Sequence, residues 1–429
     1  MADVRATKNG NWSDVTVWNT GALPTAADDV YSNTFTVNVD VSFTVLTLRS
    51  TAGTGITAGG SFNFNTAGVT GTVTSSSPLV PGATNMVQVT ATTGTVTISL
   101  GGNVAPPAIG TANLILYNGN CNLNISGTNF NGGTSNTTCI NKTSAGLITI
   151  TGNLNGANGG GSTGSNALLS TNGNTVIIGN VTGGIGAGGS HRGVNQSAGT
   201  LTITGNVTGG QSAGSNQGVL FSGTSLTVNG TILGGTASSA IESSAPINNI
   251  TGNVTGGTVM GVFSSSANII NVTGTVTASA TSQAISMTNA NGQVYLNGNM
   301  VNNNGKMAIY APIVWLDRTG TTTAAFFTSG GSPRTLYSED TFPNMPAEAD
   351  TRDNIVYGPG SGLRGTLKMP AAADTRSGVV YDNGTTGTAI FTTSLFLTEL
   401  SSSTVPVAVR MQNLCTPMIL GELMEAFKK

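Results

Sequence analysis

Leu201-Thr-Ile-Thr-Gly-Asn-Val-Thr-Gly-Gly210 decides the fold, because the chain repeats it with small changes. Related copies are Leu147-Ile-Thr-Ile-Thr-Gly-Asn-Leu154, Thr175-Val-Ile-Ile-Gly-Asn-Val181, Leu226-Thr-Val-Asn-Gly-Thr-Ile232, Asn249-Ile-Thr-Gly-Asn-Val254, Asn271-Val-Thr-Gly-Thr-Val276 and Tyr295-Leu-Asn-Gly-Asn-Met300. The apolar residue after each Gly-Asn or Gly-Thr step anchors a copy: Leu154, Val181, Val207, Ile232, Val254, Val276 and Met300. The anchors are spaced by 27, 26, 25, 22, 22 and 24 residues. A period in this range belongs to stacked-repeat architectures.

Strand side chains alternate between faces. Ile203 therefore points in, and Thr202 and Thr204 point out. Ile150, Ile177, Val228, Ile250, Val272 and Leu296 occupy the same inward slot. A second slot two residues earlier holds Ile148, Leu201, Leu226, Ile270 and Val294, and is broken by Thr175 and Asn248. The following Gly turns a corner by adopting backbone angles other residues resist. A third apolar run follows in several copies, as in Gly218-Val-Leu-Phe221 and Ala284-Ile-Ser-Met287. Three short strands per turn of about 24 residues predict a parallel β-helix, in which no turn buries its face alone. A β-propeller would need four strands in about 40–45 residues. The expected class is all-β: a right-handed parallel β-helix with a small C-terminal β module and a short C-terminal helix.

Charged residues make up 7% of the chain, against 61 glycines, and the net charge is −2. From 101 to 300 the only formal charges are Lys142, Arg192 and Glu242. There is no basic stripe, so nucleic acid is not an expected partner. Asn, Thr and Ser form the solvated face instead, which suits a stack where like charges directly above one another would repel. Met1-Ala-Asp-Val-Arg5 has no apolar core of the secretory kind, and no apolar run is long enough for a bilayer. The expectation is a chain made in a cytoplasm and not inserted in a membrane. Cys121, Cys139 and Cys415 are too scattered for a disulfide framework and read as small buried side chains.

Taken in order, residues 1–31 read as an N-terminal cap, since the open end of a β-helix exposes its stack and strand edges. Asn11-Trp-Ser-Asp-Val-Thr-Val-Trp18, Gly21, Pro24 and Asp28-Asp-Val30 resemble the opening segment of many bacterial and phage β-helix proteins. Sugar binding by Trp12 and Trp18 is the functional alternative to a cap. Residues 32–317 read as the β-helix. Its first turns are irregular: Phe35–Val39, Thr44–Leu48, Ser61–Phe64, Met86–Val89 and Gly94–Ile98. Gly102-Asn-Val104 and Gly127-Thr-Asn-Phe130 look like early corners. Nine anchors from Val104 to Met300, at about 4.8 Å each, span roughly 40 Å. Trp315 falls where the far end should need covering. Residues 318–404 read as the β module. Residues 405–429 read as a helical tail, with Thr416 and Pro417 at its start and a stripe of Ile419, Leu420, Leu423, Met424 and Phe427.

The module is itself a repeat. Met345-Pro-Ala-Glu-Ala-Asp-Thr-Arg-Asp-Asn-Ile-Val-Tyr-Gly358 recurs as Met369-Pro-Ala-Ala-Ala-Asp-Thr-Arg-Ser-Gly-Val-Val-Tyr-Asp382, offset by 24. A Gly-Thr strand is expected after each copy, at Gly365-Thr-Leu367 and Gly387-Thr-Ala389. The pattern over about 345–392 resembles a short module common near the C-termini of bacteriophage virion proteins. The resemblance implies a virion component, assembled as a homo-oligomer, commonly a trimer, with other virion proteins as partners.

Depolymerising spikes need two carboxylates flanking the bond, or a metal-bound acidic cluster. Between Asp40 and Asp317 the one carboxylate is Glu242. His191, the only histidine, lies in Gly188-Gly-Ser-His-Arg-Gly193 and reads as an exposed loop. Of Asp350, Asp353, Asp374 and Asp382, the first and third sit at equivalent repeat positions beside Arg352 and Arg376 and read as ion pairs or turn caps. The glycine runs lack the Asp of Ca²⁺-binding repeats. The expectation is therefore no catalytic, cofactor or metal site. The expected function is a non-catalytic virion fibre, spike or capsid-decorating appendage. The alternative is a tailspike that binds or depolymerises host-surface glycan. An ice-binding or adhesive solenoid, suggested by Thr-x-Thr rows at 149–151 and 202–204, is weakened where the row breaks at Asn229 and Asn297.

Overall fold

A computed structural model describes residues 2–50, 59–81, 85–105, 113–133, 137–158, 165–185, 190–211, 215–301, 303 and 306–316, with the backbone of a few short strands beyond. It is built almost wholly of parallel ladders, which form a three-faced β-solenoid.

Face one is a 13-stranded sheet from Gly10–Asn11 to Ile309–Tyr310, one strand per turn. Face two carries the repeat itself. Its inward column runs Ile150, Ile177, Ile203, Val228, Ile250, Val272 and Leu296, each paired with the next in exact register. All seven are buried, while Thr202 is half-exposed and Thr204 exposed. The expected alternation thus holds. Burying one such side chain is worth roughly 1.5–3 kcal/mol, and the repeat supplies this at every level. Face three is the short strand after each corner: Leu154, Val181, Val207, Ile232, Val254, Val276 and Met300 pair in sequence. Lower down, Asn122–Asn131 and Ile148–Asn155 bend through the corner and serve both faces. Val104 bridges Phe130, as the early-corner reading requires.

The glycine at each corner has two causes. Gly152, Gly179, Gly205, Gly252, Gly274 and Gly298 all have φ between 143° and 153°. Each also sits on the carbonyl oxygen of the glycine below. A Cβ on Gly179 would lie 2.2 Å from Gly152 O. Stacked corners therefore leave no room for a side chain at any level.

The N-terminal segment is more than a lid. Asp3–Arg5 pairs in parallel with Asp29–Tyr31, and Gly10 with Val37, so residues 3–11 begin the solenoid ladders. A 3-10 turn, Val15–Val17, is capped by Asp14, whose carboxylate accepts from Thr16 N. Trp12 stacks on Phe43 at 3.9 Å and meets Trp18 edge-on at 5.0 Å. The expected strand Thr44–Leu48 splits at Leu46 into Phe43–Val45 on face two and Thr47–Arg49 on a separate four-stranded ladder.

The expected boundary at 317 moves. Met300 pairs with Thr322 and Ile313 with Thr335, and the compact unit runs from Met1 to Pro343. The anchor position there is a threonine, so the apolar pattern is lost although the ladder continues. Trp315 does not cover the end of the stack. Val314 takes the inward position and is buried, and Trp315 pairs with Tyr295 in an outward column.

Residues 344–429 form a second unit. Val356–Tyr357 pairs antiparallel with Leu363–Arg364, and Val380–Tyr381 with Thr385–Thr386. Each module copy thus turns back at its Val-Tyr pair. The return strands lie just before Gly365 and Gly387, where the Gly-Thr strands were expected. The expected helix over 405–429, Cys415, and Asp350, Asp353, Asp374 and most of the module lie outside the described residues.

Candidate functional site

Face one has a second inward column that is only partly apolar: Phe64, Val89, Tyr117, Lys142, Ser170, Gln196 and Phe221 pair in succession. Lys142 is fully buried. Its ammonium donates to Ser144 O at 2.9 Å and to Asn172 O, and lies 6.0 Å from the Tyr117 ring centre. With no carboxylate beside it, burial pulls its pKa down to about 8. Tyr117 OH donates to Cys121 O, and burial raises its pKa to about 12. These polar heads satisfy corner carbonyls that turn inward. Nothing in the apolar periodicity announces them, because the face-one strands are separated by connections of varying length.

The two remaining charges of the mid-solenoid come together outside. Arg192 Nε donates to Gln217 Oε1 at 2.9 Å, and Gln217 Nε2 donates to Glu242 Oε2. Burial lowers the Arg192 pKa, and the charge of Glu242 opposes that shift. The carboxylate is thus engaged by an amide on the neighbouring turn. Glycoside hydrolysis needs a second carboxylate across the bond, and residues 50–316 supply none.

His191 is buried, not exposed as its sequence setting suggested. Its N–H donates to Asn216 Oδ1 at 2.9 Å and its carbonyl accepts from Gly184 N at 2.7 Å. Gly184 makes the room: a Cβ there would lie 2.5 Å from His191 Cβ. The Gly-Gly pairs after Val181, Val207, Ile232 and Val254 were the available signal.

Trp12 and Trp18 are buried, and Trp18 Nε1 donates to Trp12 O at 3.0 Å, so neither ring can stack on a sugar. The outward aromatics lie at the other end of face two. Tyr295 and Trp315 are parallel within 4°, with ring centres 5.9 Å apart. Both polar heads donate to Gln293 Oε1, at 2.8 and 3.3 Å. Their surroundings on this face include Asn271, Asn297 and the half-exposed Ile313.

No protein-family model, curated protein or solved structure matches this chain. The functional reading therefore rests on its own residues. Among the described residues no group of three or more His, Cys, Asp or Glu side chains is placed to hold a metal ion. Cys121 and Cys139 are buried free thiols, both pushed up by burial. Among the described residues, the mid-solenoid offers a long wall of Thr and Asn, the outward chain of Arg192, Gln217 and Glu242, and the Tyr295–Trp315 pair.

Proposed function

We propose that this chain is a non-catalytic structural component of a bacteriophage virion, of the fibre, spike or capsid-decorating kind. The doubled module of residues 345–392 carries this reading. Its copies repeat Pro, Asp, Arg and Tyr at an offset of 24, and each turns back at the same Val-Tyr pair. The solenoid supports it as a shaft with an almost neutral wall. The expected partners are further copies of the chain, as a trimer, and other virion proteins. Mass spectrometry of gradient-purified particles tests it: the chain should be present at fixed stoichiometry, and light scattering should show the free protein as a trimer. Particles without the chain would overturn the reading.

A second reading, contact with host-surface glycan, is favoured by the Tyr295–Trp315 pair, which places ring surface and an amide on a neutral outer wall. Tyr295→Ala with Trp315→Ala should then abolish adsorption to cell-surface polysaccharide while leaving particle incorporation intact.

A further inference from the structure

The broken slots at Thr175 and Asn248 mark two polar compartments inside the solenoid, and the two are closed differently. In the upper one, Ser243 and Ser264 follow Phe221 in the inward column of face one, and Met287 comes after them. Asn248 faces this compartment from face two, between Leu226 and Ile270. Protein groups satisfy the Asn248 side chain at both ends: Ser243 Oγ donates to Asn248 Oδ1 at 2.6 Å, and Asn248 Nδ2 donates to Ala245 O and Ile269 O at 3.1 and 3.2 Å, while the neighbouring Asn268 Oδ1 has no partner in the chain.

In the lower compartment, Lys142, Ser170 and Gln196 are consecutive in the column, bounded by Tyr117 and Phe221. All three converge on one corner. Lys142 Nζ and Ser170 Oγ donate to Asn172 O, and Gln196 Nε2 donates to Gly173 O at 3.3 Å. Gln196 Nε2 also donates to Ala198 O and Thr200 O at 2.8 and 3.0 Å. Three carbonyls around one end identify that end as the nitrogen. Thr175 is the inward residue just past this corner on face two, between Ile148 and Leu201. Here the protein does not complete the pairing. Thr175 Oγ1 and Gln196 Oε1 are both buried and have no hydrogen-bond partner in the chain.

Buried polar atoms are almost always paired, and an unpaired one costs about 1–3 kcal/mol. The required ligand must donate to Gln196 Oε1 and exchange a hydrogen bond with the Thr175 hydroxyl. A fully deprotonated anion cannot donate, and a metal cation would be repelled by the Lys142 ammonium. Water meets both demands, since it can donate to one atom and exchange a hydrogen bond with the other. We propose that the solenoid core between Lys142, Thr175 and Gln196 is a built site for ordered water, which does there what Asn248 does in the upper compartment.

A high-resolution crystal structure of the full chain tests this directly. The proposal expects a solvent peak within about 3.2 Å of both Thr175 Oγ1 and Gln196 Oε1. Water-¹⁷O relaxation dispersion gives a second reading in solution. Thr175→Val should lose dispersion amplitude equal to at least one long-lived water, and Thr202→Val, an outward control, should lose none. If Thr175→Val fails to fold, the wild-type density decides alone. Density in which both atoms bond to protein groups, or a dispersion unchanged by a folded Thr175→Val, would overturn the proposal.

Discussion

Gly205 rests on the carbonyl of Gly179: a Cβ built at Gly205 would lie 2.2 Å from that oxygen. The same residue has φ 149°. Two independent penalties therefore meet at one position, steric overlap with backbone that cannot rotate away and a backbone angle that disfavours side chains. Gly68, with φ 80° and nothing within 4 Å of its would-be Cβ, carries the second penalty alone. Gly68→Ala should cost about 1–2 kcal/mol. Gly205→Ala should cost more, about 3 kcal/mol or above, and should lower the thermal midpoint accordingly. Equal losses would mean that the corner stacking is not tight.

Lys142 should make stability depend on pH in a definite direction. Its folded pKa of about 8 lies below the unfolded value of about 10.4. Between those values the unfolded chain binds the extra proton, so the Lys142 contribution rises with pH through that window. Cys121, Cys139 and Tyr117, whose pKa values burial raises, act in the opposite sense. Comparison with Lys142→Met cancels them. The stability of wild type minus that of the variant should climb by on the order of 2 kcal/mol from pH 8 to 10. A flat difference would place the ammonium in solvent.

The buried thiols should be unreactive. In a Cys415→Ser background, Cys121 and Cys139 should resist an aromatic disulfide reagent at pH 8 until the protein is denatured, since only the thiolate attacks and burial disfavours it. Prompt labelling of either in the folded state would contradict their placement in the core.

Purified protein should release no reducing sugar or unsaturated product from host-surface polysaccharide. Glu242, held by Gln217, is the carboxylate to test. Turnover that Glu242→Gln removes would replace the structural reading with a catalytic one.

The repeat was legible because face two obeys a period of two within each strand and a nearly constant rise between copies. Ile203 and its column could be named from sequence alone. His191 could not, because its burial depends on Gly184 earlier in the same connection between faces and on Asn216 one turn away. Lys142 and Gln196 were hidden for a related reason: apolar patterning predicts where greasy residues go, not where a corner turns its carbonyls inward. Thr175 and Asn248 did stand out as breaks in a slot, and both mark polar compartments. Trp315 was misplaced because the ladder continues through Thr322, where a threonine takes the anchor position and the apolar signal of the repeat is lost.

The alternation of Thr202 and Ile203 is the most direct handle on the solenoid. Ile203 is buried between Ile177 and Val228, and Thr202 lies between Val176 and Thr227 on the outward side. Thermal melting of Ile203→Asp and Thr202→Asp should separate them sharply. The first places an unpaired carboxylate in the core, which costs several kcal/mol, and should melt far below wild type or fail to fold. The second should melt within a few degrees of it. Equal destabilisation by the two substitutions would contradict the assignment of faces on which the whole solenoid rests.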